Sequence, residues 1–279
     1  MSRAKAHAKI NLALAVGSLR HDGKHDVVTV LQRIDLHDEI SLEPAASLAV
    51  EGFAEDTTVR ATLEALADAA GVDPSWHVHV AKRIPVAAGL GGGSADAATA
   101  LQLANATLDA PLSPDELHGL AARIGADVPF FLRDGTQLAT GDGTALERIE
   151  LPFDYRIVIV VPDGVTKEST KAVYEAFDAR GGASGFPERA ATLRQALAAV
   201  ERSRDLVALP PNDLSSSPVA TELVRAGAFR ADVSGAGPAV YGLFETEAQA
   251  SRAASSVAHA GRTLVTRPFE AGDLPRVAR

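Results

Sequence analysis

Pro85-Val-Ala-Ala-Gly89-Leu-Gly91-Gly92-Gly93-Ser94-Ala-Asp96 decides the reading of this chain, because residues 89 to 93 are all glycine except Leu90 and stand between a strand-like run and a helix-like one. An ordered glycine costs more backbone entropy than any other residue, so such a cluster needs a reason. Close approach of a ligand to the backbone is the usual one. At a helix start the unpaired N–H groups and the positive end of the macrodipole form a ready anion site. Ser94 adds a hydroxyl that can hold phosphate or a magnesium ion. The bland alternative is a flexible turn with Ser94 as a helix cap. No Lys follows Gly93, as a Walker loop requires, and Ser94 stands where G-x-G-x-x-G has its last glycine, which disfavours a Rossmann dehydrogenase.

Before the loop, residues 8 to 16 and 27 to 43 carry β-forming apolar residues on either side of the turn His21-Asp-Gly-Lys24, as antiparallel strands do. Val59, Leu63, Leu66 and Ala70 recur at helical spacing and Gly71 stops that helix; Trp76 to Val80 alternates as a strand. After the loop, Ser94 to Leu108 predicts a helix with Ala97, Leu101, Ala104 and Leu108 on one stripe. Ser113-Pro114-Asp-Glu116 predicts a capping box opening a second helix that ends at Gly125.

Arg156-Ile-Val-Ile-Val-Val161, closed by Pro162, reads as a strand buried on both faces and opens a second domain, giving domains at 1–152 and 153–279. Helix-like stretches follow at 169–178, 187–202, 218–226 and 246–259, interleaved with strands at 229–234, 239–244 and 262–265. Residues 179–187 and 209–218 are turn-rich connections. The order is α+β.

The chain has 279 residues, 46% of them hydrophobic, a formal net charge of -9 and no cysteine. The charge repels nucleic acid and anionic membrane, so neither is an expected partner. Without cysteine there is no disulfide, thiolate nucleophile or Cys-ligated metal, which fits a cytoplasmic protein. No run reaches the ~18 apolar residues of a membrane span, and nothing at the start resembles a signal peptide. Oligomeric state cannot be read.

Two further segments, Ala8-Lys9-Ile-Asn11-Leu and Asp232-Val-Ser-Gly235-Ala-Gly237-Pro, complete with Pro85 to Ala98 a set that resembles the three motifs of the GHMP kinase superfamily. Arg20-His-Asp22-Gly23-Lys-His25 and Gly125-Ala-Asp127-Val-Pro129-Phe-Phe131 are similar to one branch of it, and the resemblance spans roughly the whole chain. It implies two domains, the first like domain 2 of ribosomal protein S5 and the second ferredoxin-like, with the active site in the cleft between them. It also implies that ATP, with Mg2+, phosphorylates the 2-hydroxyl of a cytidine diphosphate-linked methylerythritol in the non-mevalonate isoprenoid route.

By this resemblance Asp127 is the catalytic base and Lys9 its partner; Pro85, Val86, Ala87, Ala88, Gly89, Leu90, Gly91, Gly92, Gly93, Ser94 and Ala95 bind ATP; and Asn11, Lys24, His25, Asp127, Thr170 and Tyr174 bind the substrate. The chemistry needs such residues: an alcohol is a poor nucleophile that a carboxylate must orient and relieve of its proton, and an ammonium beside it steadies the transferring phosphoryl group. A tyrosine can stack on a base. Taken singly, each has a plainer reading, Asp127 as a helix cap and Lys9 as a solvated surface lysine among them.

Lys24 stands where the superfamily branch has Tyr, which removes an aromatic platform, and Asp56-Thr-Thr-Val59 departs from the branch near the adenine. Lys24 keeps open a GHMP kinase acting on another alcohol. A catalytically silent sensor of nucleotide or sugar phosphate is a second alternative. His77 and His79 share a strand face but lack a third metal ligand, and Asp96 in the first helical turn reads as complementing the helix dipole. Gly235-Ala-Gly237 either approaches the phosphates or turns tightly before the strand at 239–244.

Overall fold

The computed structural model describes residues 1–53, 57–164 and 169–269. A long hairpin dominates the first half: β1 (Ser2–Leu19) runs antiparallel to β2 (His25–Pro44), from Ser2 opposite Leu42 to Leu19 opposite His25, and Gly23 supplies the positive φ of the turn. The register slips after His7, Asn11 and Val16. Such bulges re-aim side chains. Next come β3 (Ala49–Glu51), α1 (Thr57–Ala70), β4 (Trp76–Ala81), α2 (Gly92–Asn105), α3 (Pro114–Ile124), α4 (Val128–Phe131), β5 (Thr136–Gly141) and β6 (Ala145–Ile149). The sheet order is β3-β4-β2-β5-β6 with β1 on β2, and the only parallel pair among the described strands is β3 with β4.

The second half comprises β7 (Arg156–Pro162), α5 (Thr170–Ala179), α6 (Phe186–Ala198), a 3-10 turn at Ser203–Ala208, α7 (Pro218–Arg225), β8 (Arg230–Val233), β9 (Val240–Phe244), α8 (Glu247–Ser256) and β10 (Gly261–Thr266). Its four antiparallel strands lie in the order β10-β7-β9-β8, the βαββαβ order of ferredoxin-like domains. This is a two-domain α+β fold. The halves share one apolar core, in which Ile10 and Leu12 of β1 pack with Ile157, Ile159 and Leu243 of the second sheet. Tyr241 Oη donates to Leu12 O at 3.0 Å, and Ile34 bridges Pro268.

Several boundaries depart from the sequence reading. The helix expected at Ser94–Leu108 starts at Gly92 and stops at Asn105, with Gly91 as N-cap at φ 72°. The glycines that propensity treats as breakers form its first turn. Its buried residues include nearly all of 95–105 rather than one stripe, because alanine lets a helix be packed on every side. The capping box at Ser113 and Glu116 is present. Helices expected to reach 202 and 259 end at Ala198 and Ser256, each followed by a 3-10 turn. β3, β5 and β6 were not anticipated; Thr136-Gln-Leu-Ala-Thr-Gly alternates too little to show as a strand, and its pairing with β2 makes it one.

Candidate active site

The glycine loop is tied back into the protein through its carbonyls. Ala88 O accepts from Ala239 N at 2.9 Å, Leu90 O from Lys9 N at 2.9 Å, and Gly89 O from Ser234 Oγ at 3.0 Å. Gly92, Gly93 and Ser94 form the first turn of α2, whose N–H groups have no partner within the helix. Glycine is required at two places: a Cβ on Gly89 (φ +83°) would stand 2.3 Å from Ser234 O, and one on Gly91 (φ +72°) 2.8 Å from Phe131 Cζ and 3.0 Å from Lys9 Cγ. A Cβ on Gly93 would meet nothing within 4 Å. Ala87 holds a left-handed φ of 55°, a strained conformation for a residue with a side chain. Gly235 and Gly237 both turn tightly and lean on the loop, the first 3.4 Å from Lys9 Nζ at its would-be Cβ.

Lys9 points from β1 under this loop. Its Nζ lies 3.3 Å from Asp127 Oδ2 and donates to Asn11 Oδ1 at 2.6 Å. Asn11 Nδ2 donates in turn to Thr29 Oγ1 at 2.8 Å, which donates to Ala13 O. Lys9 is 4% exposed and Asp127 41%, so a buried ammonium reaches up to a carboxylate that faces solvent. Asp127 is the N-cap of α4, yet its side chain makes no capping bond. That helix is anchored below by the buried guanidinium of Arg33, whose Nη2 donates to Phe131 O and Arg133 O, each at 2.7 Å.

A third cluster lies farther along the same cleft. His25 Nε2 is 3.0 Å and 3.1 Å from the two carboxylate oxygens of Asp178, and its ring tilts against Tyr174 at 4.7 Å between centroids. Burial, then the charge of Asp127, pushes the Tyr174 hydroxyl up to about 12. Lys24 Nζ pairs with Asp142 Oδ2 at 2.7 Å across the rim. Burial would raise that carboxyl, but bonds from Lys24 and Thr144 bring it down to about 2. Thr170 begins α5, exposed at the edge.

These groups line one cavity of ≈ 860 Å³. It takes in residues 85–94 together with Lys9, Asn11, Lys24, His25, Asp127, Thr170 and Tyr174. Ala95 is the exception, 1% exposed and facing the core, its N–H given to Gly91 O at 2.9 Å. Asp56 lies outside the described residues.

Sequence reasoning missed Asp178, Asp142 and a buried triad behind the loop. Lys82 Nζ sits 2.6 Å from Asp38 Oδ2 and 2.7 Å from Asp96 Oδ2. Burial alone would depress the ammonium, and the two carboxylates outweigh it and raise it. Burial and the charge of Asp38 push Asp96 up to about 8. Asp96 therefore belongs to this triad rather than simply facing the helix dipole. His77 pairs with Glu43 and Glu51 on the sheet surface. Nothing in the sequence marks these partners, since they come from distant elements.

Residues 57–135 match the family described as GHMP kinases N terminal domain, and residues 215–263 match GHMP kinases C terminal. A 4-diphosphocytidyl-2-C-methyl-D-erythritol kinase of Desulfitobacterium hafniense is 39% identical over 90% of this chain and 89% of its own. One of Pelotomaculum thermopropionicum is also 39% identical, over 95% of this chain and 97% of its own. A crystal structure of 4-(cytidine 5'-diphospho)-2C-methyl-D-erythritol kinase superposes with a TM-score of 0.77 at 29% identity, covering 96% of this chain and 99% of that one. A mevalonate kinase structure shares the fold, with a TM-score of 0.74 at 14% identity.

Proposed function

The chain belongs to the GHMP kinase family and, within it, to the 4-diphosphocytidyl-2-C-methyl-D-erythritol kinases, and from that premise we propose how its residues divide the work. The enzyme transfers the γ-phosphoryl group of ATP to the 2-hydroxyl of 4-diphosphocytidyl-2-C-methyl-D-erythritol, a step toward isoprenoid precursors. The observation that carries the division of roles is the 3.3 Å approach of Lys9 Nζ to Asp127 Oδ2 beside the glycine loop.

Asp127 orients the substrate hydroxyl and accepts its proton as the oxygen attacks the γ-phosphorus and the bond to the β–γ bridging oxygen breaks. Lys9, 3.3 Å from that carboxylate, steadies the charge on the transferring group. Asn11, accepting from Lys9, holds the ammonium in place. The first-turn N–H groups of residues 92–94, which line the cavity, take the phosphates. His25 and Tyr174 take the cytosine end, with Thr170 and Lys24 at its edge.

Mg2+ fits the site modestly: the Ser94 hydroxyl lines the cavity at the loop, and magnesium needs one or two protein oxygens besides water and phosphate. Bound there it neutralises charge on the triphosphate. The change of sheet between Ile149 and Arg156 supports domains at 1–152 and 153–279. Among the described residues no helix is long and apolar enough to cross a membrane; use of ATP supports a cytoplasmic location.

A coupled ADP-release assay with magnesium ATP, this substrate and a panel of other alcohols tests the reading. Turnover with the cytidine-linked alcohol, lost in Asp127→Asn, is the expected result; turnover with another alcohol alone would retain the kinase and remove the substrate.

A further inference from the structure

The imidazole of His25 is held from one side. Its Nε2 faces both carboxylate oxygens of Asp178, at 3.0 and 3.1 Å, and Phe177 closes edge-on at 6.3 Å while Tyr174 covers the ring. A carboxylate only accepts, so the nitrogen facing it carries the proton, and in a neutral imidazole Nδ1 then keeps its lone pair. Nδ1 has no hydrogen-bond partner among the described residues and is not one of their fully buried orphans, while His25 and Asp178 both line the cavity.

We propose that Asp178 is a positioning residue that fixes His25 in its Nε2–H form, so that Nδ1 accepts a hydrogen bond from the exocyclic amino group of the substrate's base and the pocket selects an amino-pyrimidine over an oxo-pyrimidine. This rests on the reading that the cavity takes a cytidine-linked substrate. Cytosine presents an amino donor where uracil presents a carbonyl acceptor. Opposite a lone pair held by Asp178, the carbonyl finds no donor, and a site built around one hydrogen bond rejects the analogue that cannot make it. Of the two lysines of α5 and the β1–β2 turn that line the cavity, Lys24 is turned toward Asp142 and Lys171 toward Glu175.

The experiment compares kcat and KM for cytidine- and uridine-diphosphate-linked methylerythritol in the wild type, Asp178→Asn and Asp178→Glu, with imidazole 15N shifts read on the same proteins. An asparagine can donate its amide to Nε2 and so stabilise the Nδ1–H form. The expected result is a preference for cytidine in the wild type that falls by about 10–100-fold in Asp178→Asn, mainly through KM, with the 15N shifts reporting the change of tautomer and Asp178→Glu recovering both. An unchanged cytidine-to-uridine ratio in Asp178→Asn, whatever its absolute rate, overturns the proposal alone. Absence of turnover of either compound by the wild type overturns the functional reading and the proposal with it.

Discussion

Lys9 Nζ lies 3.3 Å from Asp127 Oδ2, a buried cation on the first strand meeting an exposed anion at the cap of a four-residue helix. The two are held in different ways. Arg33, from β2, anchors the helix that carries Asp127, and Asn11, two residues along the same strand, anchors Lys9.

Asp127→Asn keeps the shape and removes the proton acceptor. Steady-state rates are expected to fall by about 10²–10⁴ in kcat, the range for general-base removal, while the thermal midpoint should change little, because the side chain is exposed and caps nothing and an asparagine oxygen can still accept from Lys9. Loss of folding in step with activity would instead make Asp127 structural.

Two glycines of the loop are expected to part company. Gly89→Ala sets a Cβ against Ser234 O at a positive φ and should cost several degrees of thermal midpoint, consistent with strain of about 1–3 kcal/mol. Gly93→Ala meets nothing in the protein, so its midpoint should hold while KM for ATP rises, since the methyl enters the space left for phosphate. Calorimetry and ATP kinetics on both variants check this.

Tyr174→Ala should raise KM for the cytidine-linked substrate by about 10–100-fold, the equivalent of roughly 1–3 kcal/mol of base stacking, and leave KM for ATP unchanged. Tyr174→Phe keeps the ring that leans on His25 and is expected to behave nearly as the wild type. Equal effects from the two would put the role on the hydroxyl.

His7 gives an acid limb to stability. Burial first, opposed by a bond to Ile34 O and joined by the charges of His37 and Arg33 against that of Asp35, lowers its pKa from 6.5 to about 4. Between those values the unfolded chain binds the extra proton, so stability rises with pH there; it is fully present above pH 6.5 and lost as pH falls through 4. The total is about 3 kcal/mol at most. Urea titrations from pH 7.5 to 4 should show this slope in the wild type and a flatter one in His7→Gln. Phe269, stacked on His7 at 3.7 Å, ties the slope to the seating of residues 267–269.

Much of the fold could be read from local pattern because local physics decided it: the capping box at Ser113, the buried strand 156–161 and the stop at Gly71 are settled within a few residues of themselves. β5 and β6 escaped because they are strands by pairing rather than by composition. The helix start at Gly92 escaped because Gly91 caps it with a backbone conformation, leaving no side-chain signal.

The sequence by itself determined that a glycine-rich loop leads into a helix and which family's motifs surround it, since residue type and short spacing carry that information; Asp127 and Lys9 were legible only through the resemblance to that family. Tertiary structure alone decided which groups meet. Asp178 on His25, Asp142 on Lys24, and Asp38 with Asp96 on Lys82 are contacts between distant elements. Strand register, the bulges after His7 and Asn11, and the joining of two sheets over one core fix those meetings, because a side chain's direction follows from the pairing of its strand and no short stretch of sequence contains it.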